Sequence, residues 1–472
     1  MIRYTGNPYV DAGVAVLELR LQKPCAEFTE ADLASQAEWI KKEYRKKIWK
    51  SYLMLHLPNC AWTQANPDSD KNSEYIHKVL ESYKPEFPAL DRLCAFCNEP
   101  AKILADRRYV PLLTGETSMA SGAEGVPGLP VCGYCVFAVH FYPLATLKVE
   151  GKPLFWGAPH PKWVLRLNRA FYGDIQRLLA ASSDELPKLR WPATRLLDAA
   201  RQVMDEIERM PESERPPLCD VTGIHASNYG TSASFDELRI PRCLLEFWSE
   251  AGTFGDLYRC IERQAWESEK PKPKKNRHGK HTKPREELPP AVREASRRNF
   301  LYEALGKAFR TPDFREQART VAARFFMPRG KQIDPNATAL AELFLEKVAG
   351  MEKARLEAIR SIADALVQSK NVNWIVDRLM RSGKTLYDFL PTMRAIERKL
   401  SAEKKPLPWD QLLFALGLSC DEDATSRDSP LVYELILIRV FEQLGLAQPD
   451  VLASIDLPDE GKPTDQNQTI GG

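Results

Sequence analysis

Apolar positions recur at helical spacing over most of this chain, and short strand-like runs interrupt them only in its first half. Gly6-Asn7-Pro8 is a turn signal, and Asp11 is placed to cap a helix from Ala12, dense enough in apolar residues to start buried. Thr29 to Asp32 reads as a capping box, followed by Leu33, Ala37, Ile40, Tyr44 and Ile48 on one helical face. Its other face is basic (Lys41, Lys42, Arg45, Lys46, Lys47, Lys50), which suits a solvated surface or the wall of a polyanion channel. Ser51–Leu57 reads as a short buried strand ending at Pro58, and a second amphipathic helix is expected over Ser73–Tyr83. Residues 147–172 read as a hairpin and a strand leading into a helix, with helices near Ala170–Ala181 and Pro192–Glu208. Gly223–Trp248 reads as a polar loop, a short strand and a helix start. From Leu288 the pattern turns continuously helical: Val292–Phe309, Asp313–Met327, Ala337–Gln368, Thr385–Leu400, Trp409–Leu416 and Pro430–Leu444. The expected fold class is therefore α+β: a mixed N-terminal domain followed by an all-α helical bundle.

One feature of the N-terminal half is chemical. Cys94 and Cys97 form one CxxC pair, and Cys132 and Cys135 form another. Each pair can present two thiolates to one cation, and four close a tetrahedral shell, so the spacing predicts a structural zinc site with no position left for a reacting water. Two redox pairs or two disulfides are the alternatives, and a reducing cytoplasm disfavours both. His140 follows the second pair but is not needed as a ligand, and is expected to be buried or hydrogen-bonded. Between the pairs, Thr114–Leu129 is small and turn-rich and reads as an exposed loop tied at both ends by the metal.

Composition adds a boundary and a partner class. The chain has 472 residues, 44% hydrophobic and 28% charged, enough for two or three domains. No apolar run is long enough to cross a membrane, no secretion signal is visible, and ten cysteines without a disulfide pattern suit the cytoplasm. The net charge of +2 is unevenly spread: residues 270–331 hold eighteen Lys/Arg against six Asp/Glu, so the remainder is acidic. Such segregation points to a polyanion met at one region, of which nucleic acid is the commonest. The run 270–285 has eight basic residues, no acid, three prolines and no apolar side chain. Its composition reads as a mobile linker, whose Lys272, Lys274, Lys275, Arg277 and Lys280 are candidate phosphate contacts along with Arg297 and Arg298 beyond it. Two further stretches could meet nucleic acid. In 155–169, aromatic and basic residues interleave, a pattern that fits base stacking but more often marks a core. Ser227, Asn228, Tyr229, Gly230 and Thr231 form a polar turn, where small residues let a backbone approach another chain or remain an ordinary turn. Ser382-Gly383-Lys384-Thr385 mimics the end of a phosphate loop, but Arg378 stands where the first glycine belongs and no strand precedes it. No HExxH, GxSxG or GxGxxG motif occurs, which favours a binding protein over an enzyme. The domains expected are 1–269 with the cysteine knuckles at 94–135, a basic linker at 270–289, a bundle at 290–449 and a disordered tail at 450–472.

The order of residues at the N-terminus carries a family likeness. Thr5, Gly6, Asn7, Pro8, Asp11, Ala12 and Gly13, with the two CxxC pairs behind them, resemble the large subunit of type I CRISPR interference complexes (Cascade), in the Cas-eight branch of subtype I-B and its relatives. The close match covers about a tenth of the chain. The resemblance implies a non-catalytic subunit that recognises a protospacer-adjacent motif in duplex target DNA, helps open the duplex, stabilises the R-loop and helps recruit a helicase-nuclease. It implies guide crRNA, target DNA, the backbone subunits and the handle-binding subunit as partners; Asn7 and the Ser227–Thr231 turn are the candidate groove contacts. The C-terminal helices resemble the small subunits of such complexes, and Met327 or Met351 could start a separate small subunit. Two other classes fit less well: a standalone zinc-containing nuclease and a zinc-clamped scaffold that touches only protein.

Overall fold

A computed structural model describes residues 1–66, 69–113, 128–182, 184–227, 234–267, 289–327, 336–382, 385–418 and 429–454. The class is α+β with a helical C-terminal region, as the periodicity predicts. Two compact units comprise 1–245 with 266–310, and 246–265 with 311 onward.

In the first unit, the chain runs through α1 (Pro8–Leu21), α2 (Glu30–Glu43), α3 (Lys47–His56) and α4 (Asp70–Glu81), then β1 (Ile103–Ala105), β2 (Leu129–Val131) and α5 (Gly133–Val139). It continues with β3 (Leu147–Val149), β4 (Lys152–Gly157), α6 (Pro161–Ala180), α7 (Pro192–Glu208), β5 (Val221–Ser227) and β6 (Ser234–Ile240). Strands β3 to β6 make an antiparallel sheet in chain order, with Leu154 opposite His225 and Ile224 opposite Glu237. The core is built around α1. Tyr9 to Leu17 are all buried, because the helix is apolar on every side and α5, α6 and β4 surround it.

Several local expectations are corrected. The first helix starts at Pro8, not Ala12; Asn7 is its cap, its Oδ1 accepting from the amides of Tyr9 and Val10 (3.1 and 3.3 Å). Asp11 turns back, accepting from the Thr5 and Gly6 amides at 2.7 and 2.9 Å. The Thr29–Asp32 capping box is present as expected. The expected strand Ser51–Leu57 is helix as far as His56, with Leu57 as its cap: Trp49, Tyr52, Leu53 and His56 follow a 3.6 period and bury one face of α3, a distinction a short apolar run conceals. Gly223–Ser227 is the buried strand β5, not a polar loop.

Helices α8 (Arg242–Ala251) and α9 (Leu257–Gln264) follow the sheet. The expected helix over 292–309 is two, α10 (Pro290–Ala295) and α11 (Phe300–Phe309), broken where the buried Asn299 caps the second through Tyr302 N (3.1 Å). Both belong to the first unit, a division with other bounds than those read from composition. Helix α11 lies on α7, where a Cβ on Gly306 would stand 2.3 Å from that of Ala193, and the Glu303 carboxylate accepts from Thr194 N and Oγ1 at 2.8 Å.

The second unit is helical: α12 (Phe314–Phe325), α13 (Ala337–Lys347), α14 (Lys353–Val367), α15 (Val372–Met380), α16 (Leu386–Ala402), α17 (Trp409–Ala415), α18 (Ser429–Ala447) and α19 (Pro449–Ser454). The long helix expected over 337–368 breaks at Gly350, whose φ of +64° ends α13 in a left-handed turn. Phe247, Tyr258, Phe326 and Phe344 form an aromatic cluster, with Phe326 stacked on Phe344 at 4.5 Å. Met327 and Met351 are buried. Among the described residues, no helix is long and apolar enough to cross a membrane.

Candidate metal centre and nucleic-acid contacts

The two CxxC pairs meet. Residues 93–100 fold into a tight knuckle: Cys94 N donates to Glu99 O (2.7 Å), Asn98 N donates to Cys94 O (3.0 Å), and Leu93 bridges Pro100. Asn98 has a φ of +61°, a left-handed turn that asparagine tolerates better than most residues. Phe96 N points at Cys94 Sγ (3.5 Å). Cys132 follows β2 and caps α5, its Sγ accepting from Cys135 N at 3.4 Å. Pairing of β1 with β2 extends to the knuckle through Lys102 N to Val131 O and Ala95 N to Pro130 O, both 2.9 Å, so register brings the pairs to one point.

All four Sγ atoms lie within 4.8 Å of one another, with Cys97 and Cys132 at 3.4 Å, and none is in a disulfide. A tetrahedral thiolate shell at a metal–sulfur distance of about 2.3 Å has edges of about 3.8 Å, so the cluster has the right size for one cation. Cys94, Cys132 and Cys135 are buried and Cys97 is half-buried. Hydrogen bonds from the thiols of Cys132 and Cys135 hold the Cys94 thiol far below its ordinary range, while those same contacts with Cys132 and Cys94 push Cys135 far up. Four thiolates can share this volume only with a cation among them.

The cluster is tied to the core by two glycines. A Cβ on Gly133 would lie 2.2 Å from the carbonyl carbon of Ser82, just past α4, and one on Gly13 would lie 1.8 Å from the carbonyl oxygen of Ala138. Helix α5 is thus pressed between α1 and the end of α4, with two of the four sulfurs at its start. His140 is the buried residue expected: its Nδ1 is 2.9 Å from Val136 O and its Nε2 is 2.9 Å from the Tyr75 hydroxyl. Burial lowers its pKa to about 4. Of the loop between the pairs, 114–127 lie outside the described residues.

The nucleic-acid candidates divide. Asn228, Tyr229 and Thr231 lie outside the described residues, as do Lys272, Lys274, Lys275, Arg277 and Lys280. Ser227 is not in an exposed turn; it ends β5, buried, with its hydroxyl donating to Leu55 O at 3.3 Å. Asn7 has its Oδ1 committed to the α1 cap. Arg297 and Arg298 are half-buried and stacked within the fold: Arg297 over Trp266 at 5.3 Å, and Arg298 over Trp191 at 4.3 Å and Phe300 at 4.7 Å. In the aromatic–basic stretch, Phe155, Trp156 and Trp163 are core residues, and Trp163 Nε1 donates to Pro217 O at 2.9 Å. The segments flanking the basic run meet each other, Trp266 bridging Asn299 and Glu267 N donating to Arg298 O at 2.8 Å. Periodicity gave no sign of a cleft of 1130 Å³ beside the metal centre, because its residues are scattered over 59–109.

Fold and site together define an α+β protein with a candidate four-cysteine metal centre. No protein-family model, no curated protein and no solved structure matches the chain.

Proposed function

We propose that the protein is the large subunit of a type I, I-B-like, Cascade surveillance complex, with a structural zinc held by Cys94, Cys97, Cys132 and Cys135. Zinc is the metal best suited to four thiolates in a closed tetrahedral site, where it clamps rather than reacts. The observation that carries the reading is a juxtaposition: the Thr5–Gly13 residues that bear the family likeness build the start of α1, and α1 packs through Gly13 on the helix that supplies Cys132 and Cys135. Signature and staple are one packed unit. The charge segregation at 270–331 supports a polyanionic partner.

In this reading the subunit works in the cytoplasm and performs no bond cleavage. It reads a short motif in duplex DNA while guide pairing reads the rest, then holds the opened strands through phosphate contacts in which the basic run takes part. Its partners are the guide crRNA, target DNA, the backbone subunits and the handle-binding subunit, with a helicase-nuclease recruited transiently. The test is co-purification with those subunits and a guide, followed by duplex binding with and without the motif. Assembly with motif-dependent binding is expected. Metal-dependent cleavage of nucleic acid by this chain alone would replace the reading with a zinc-containing nuclease, and binding to protein only would make it a scaffold.

A further inference from the structure

We propose that the 1130 Å³ cleft beside the metal centre is a site for an unpaired nucleic-acid strand, with Lys71 and Arg107 as its phosphate contacts. The cleft is lined by the start of α4, the segment 87–90, β1 and the turn that follows it. Five cations face it against two carboxylates, and their commitments differ. Lys78 pairs with Glu74 at 2.7 Å, and Arg108 with Asp106 at 2.6 Å. Lys102 Nζ is spent on the carbonyls of Lys84 and Phe87 at 3.1 and 2.5 Å. Lys71, exposed, and Arg107, half-buried, have no acidic partner among the described residues, so the cleft carries uncompensated positive charge.

Buried aromatic side chains form its base. Tyr75 and Tyr109, both buried, lie 4.8 Å apart with their rings tilted by 36°, and the Tyr75 hydroxyl sits between Arg108 O (2.5 Å) and His140 Nε2 (2.9 Å). Half-buried Phe87 stands at the rim with its ring 5.0 Å from that of His77. A cation-lined groove with a partly exposed ring at its rim is what a single strand can use: phosphates meet the charges and a base meets the Phe87 ring. A duplex is read by a convex helix or ribbon entering its groove, and this surface is concave. The proposal shares with the preceding section only the class of ligand; it does not need the Cascade assignment.

The test is anisotropy of a labelled, unstructured single strand with the purified full chain, in RNA and DNA versions, with duplex as competitor. Each single-strand phosphate contact contributes about 0.7 to the slope of log affinity against log salt. The double variant Lys71→Ala/Arg107→Ala should therefore lower the slope by about 1.4 and weaken binding about 25-fold at 0.1 M salt. Unchanged thermal unfolding would show that the variant is folded. Lys353→Ala/Lys370→Ala removes the same charge from exposed positions of the second unit and should leave strand affinity as it was. Tighter binding of an RNA or a DNA strand than of duplex supports the site and identifies its source. No change in the cleft double, or an equal loss in the comparator, overturns it. Because the chain is tested alone, such a failure leaves assembly into a guide complex to its own experiment.

Discussion

Replacing Gly13 with alanine adds one methyl group where α1 and α5 approach most closely. The new Cβ would lie 1.8 Å from the Ala138 carbonyl oxygen and 2.5 Å from its carbonyl carbon, where real contacts do not fall below 3.0 Å. The separation of α1 and α5 must then grow locally by at least 1.2 Å, the difference between 3.0 and 1.8. Neither helix can yield easily. Nine successive residues of α1 are buried, and α5 is held at its start by Gly133 against Ser82 and by the cysteine cluster. Overpacking of this kind costs about 1–3 kcal/mol, against about 0.5–1 kcal/mol gained from alanine's helix propensity. At roughly 2–4 °C per kcal/mol, unfolding followed by near-ultraviolet circular dichroism should shift down by several degrees. Gly173 in α6 is the control: nothing lies within 4 Å of its Cβ position, so Gly173→Ala should raise stability by about 0.5–1 kcal/mol. Equal or higher stability of Gly13→Ala would refute the packing argument and loosen the link between the N-terminal signature and the metal centre.

Other expectations follow from the same structure. The purified chain should carry a single zinc, measured by elemental analysis, and Cys132→Ser should lose it and loosen 93–135 in hydrogen exchange; retention of zinc by that variant would exclude this ligand set. Acid should weaken the first unit. Burial holds His56 and His140 neutral, with folded pKa values of about 3 and 4 against the ordinary histidine value of 6.5. Their contribution is complete above about pH 6.5 and is lost as pH falls toward 4, because the unfolded chain takes up the protons first; each adds a slope of about 1.4 kcal/mol per pH unit. In denaturant titrations at fixed zinc, His140→Asn should show a shallower acid limb than the parent, and an equal limb would count against a buried neutral histidine. Replacing Lys272, Lys274, Lys275 and Arg277 with alanine should weaken duplex binding alike for all sequences and flatten its salt dependence, as counterion release requires; an unchanged slope would remove the basic run from the interface.

How much of this could be read beforehand depends on whether the cause was local. The Thr29–Asp32 box and much of the 3.6-period helical pattern are fixed by residues close in sequence, and the metal chemistry of the two CxxC pairs is carried by their own spacing; these were legible. Ser51–Leu57 misled because an apolar run that short fits a strand or a buried helix, and the deciding partners, among them Thr146 on Tyr52 and Tyr142 on His56, lie some ninety residues away. Arg297 and Arg298 looked like free cations until Trp266 and Trp191 were brought against them. Gly13 entered only as part of a family likeness, and Gly133 stands inside the second CxxC pair; the physical role of both is close helix approach, which depends on Ala138 and Ser82.

The central claim is that this chain is the motif-reading, non-cutting subunit of a guide complex. Its most direct test is R-loop formation on duplex DNA by the chain reconstituted with backbone and handle-binding subunits and a guide, compared with and without the adjacent motif. The account predicts R-loops only with the motif, lost when this subunit is omitted, and intact strands until a helicase-nuclease is added. R-loops that form equally without this subunit, or strands cut by it alone, would contradict the account.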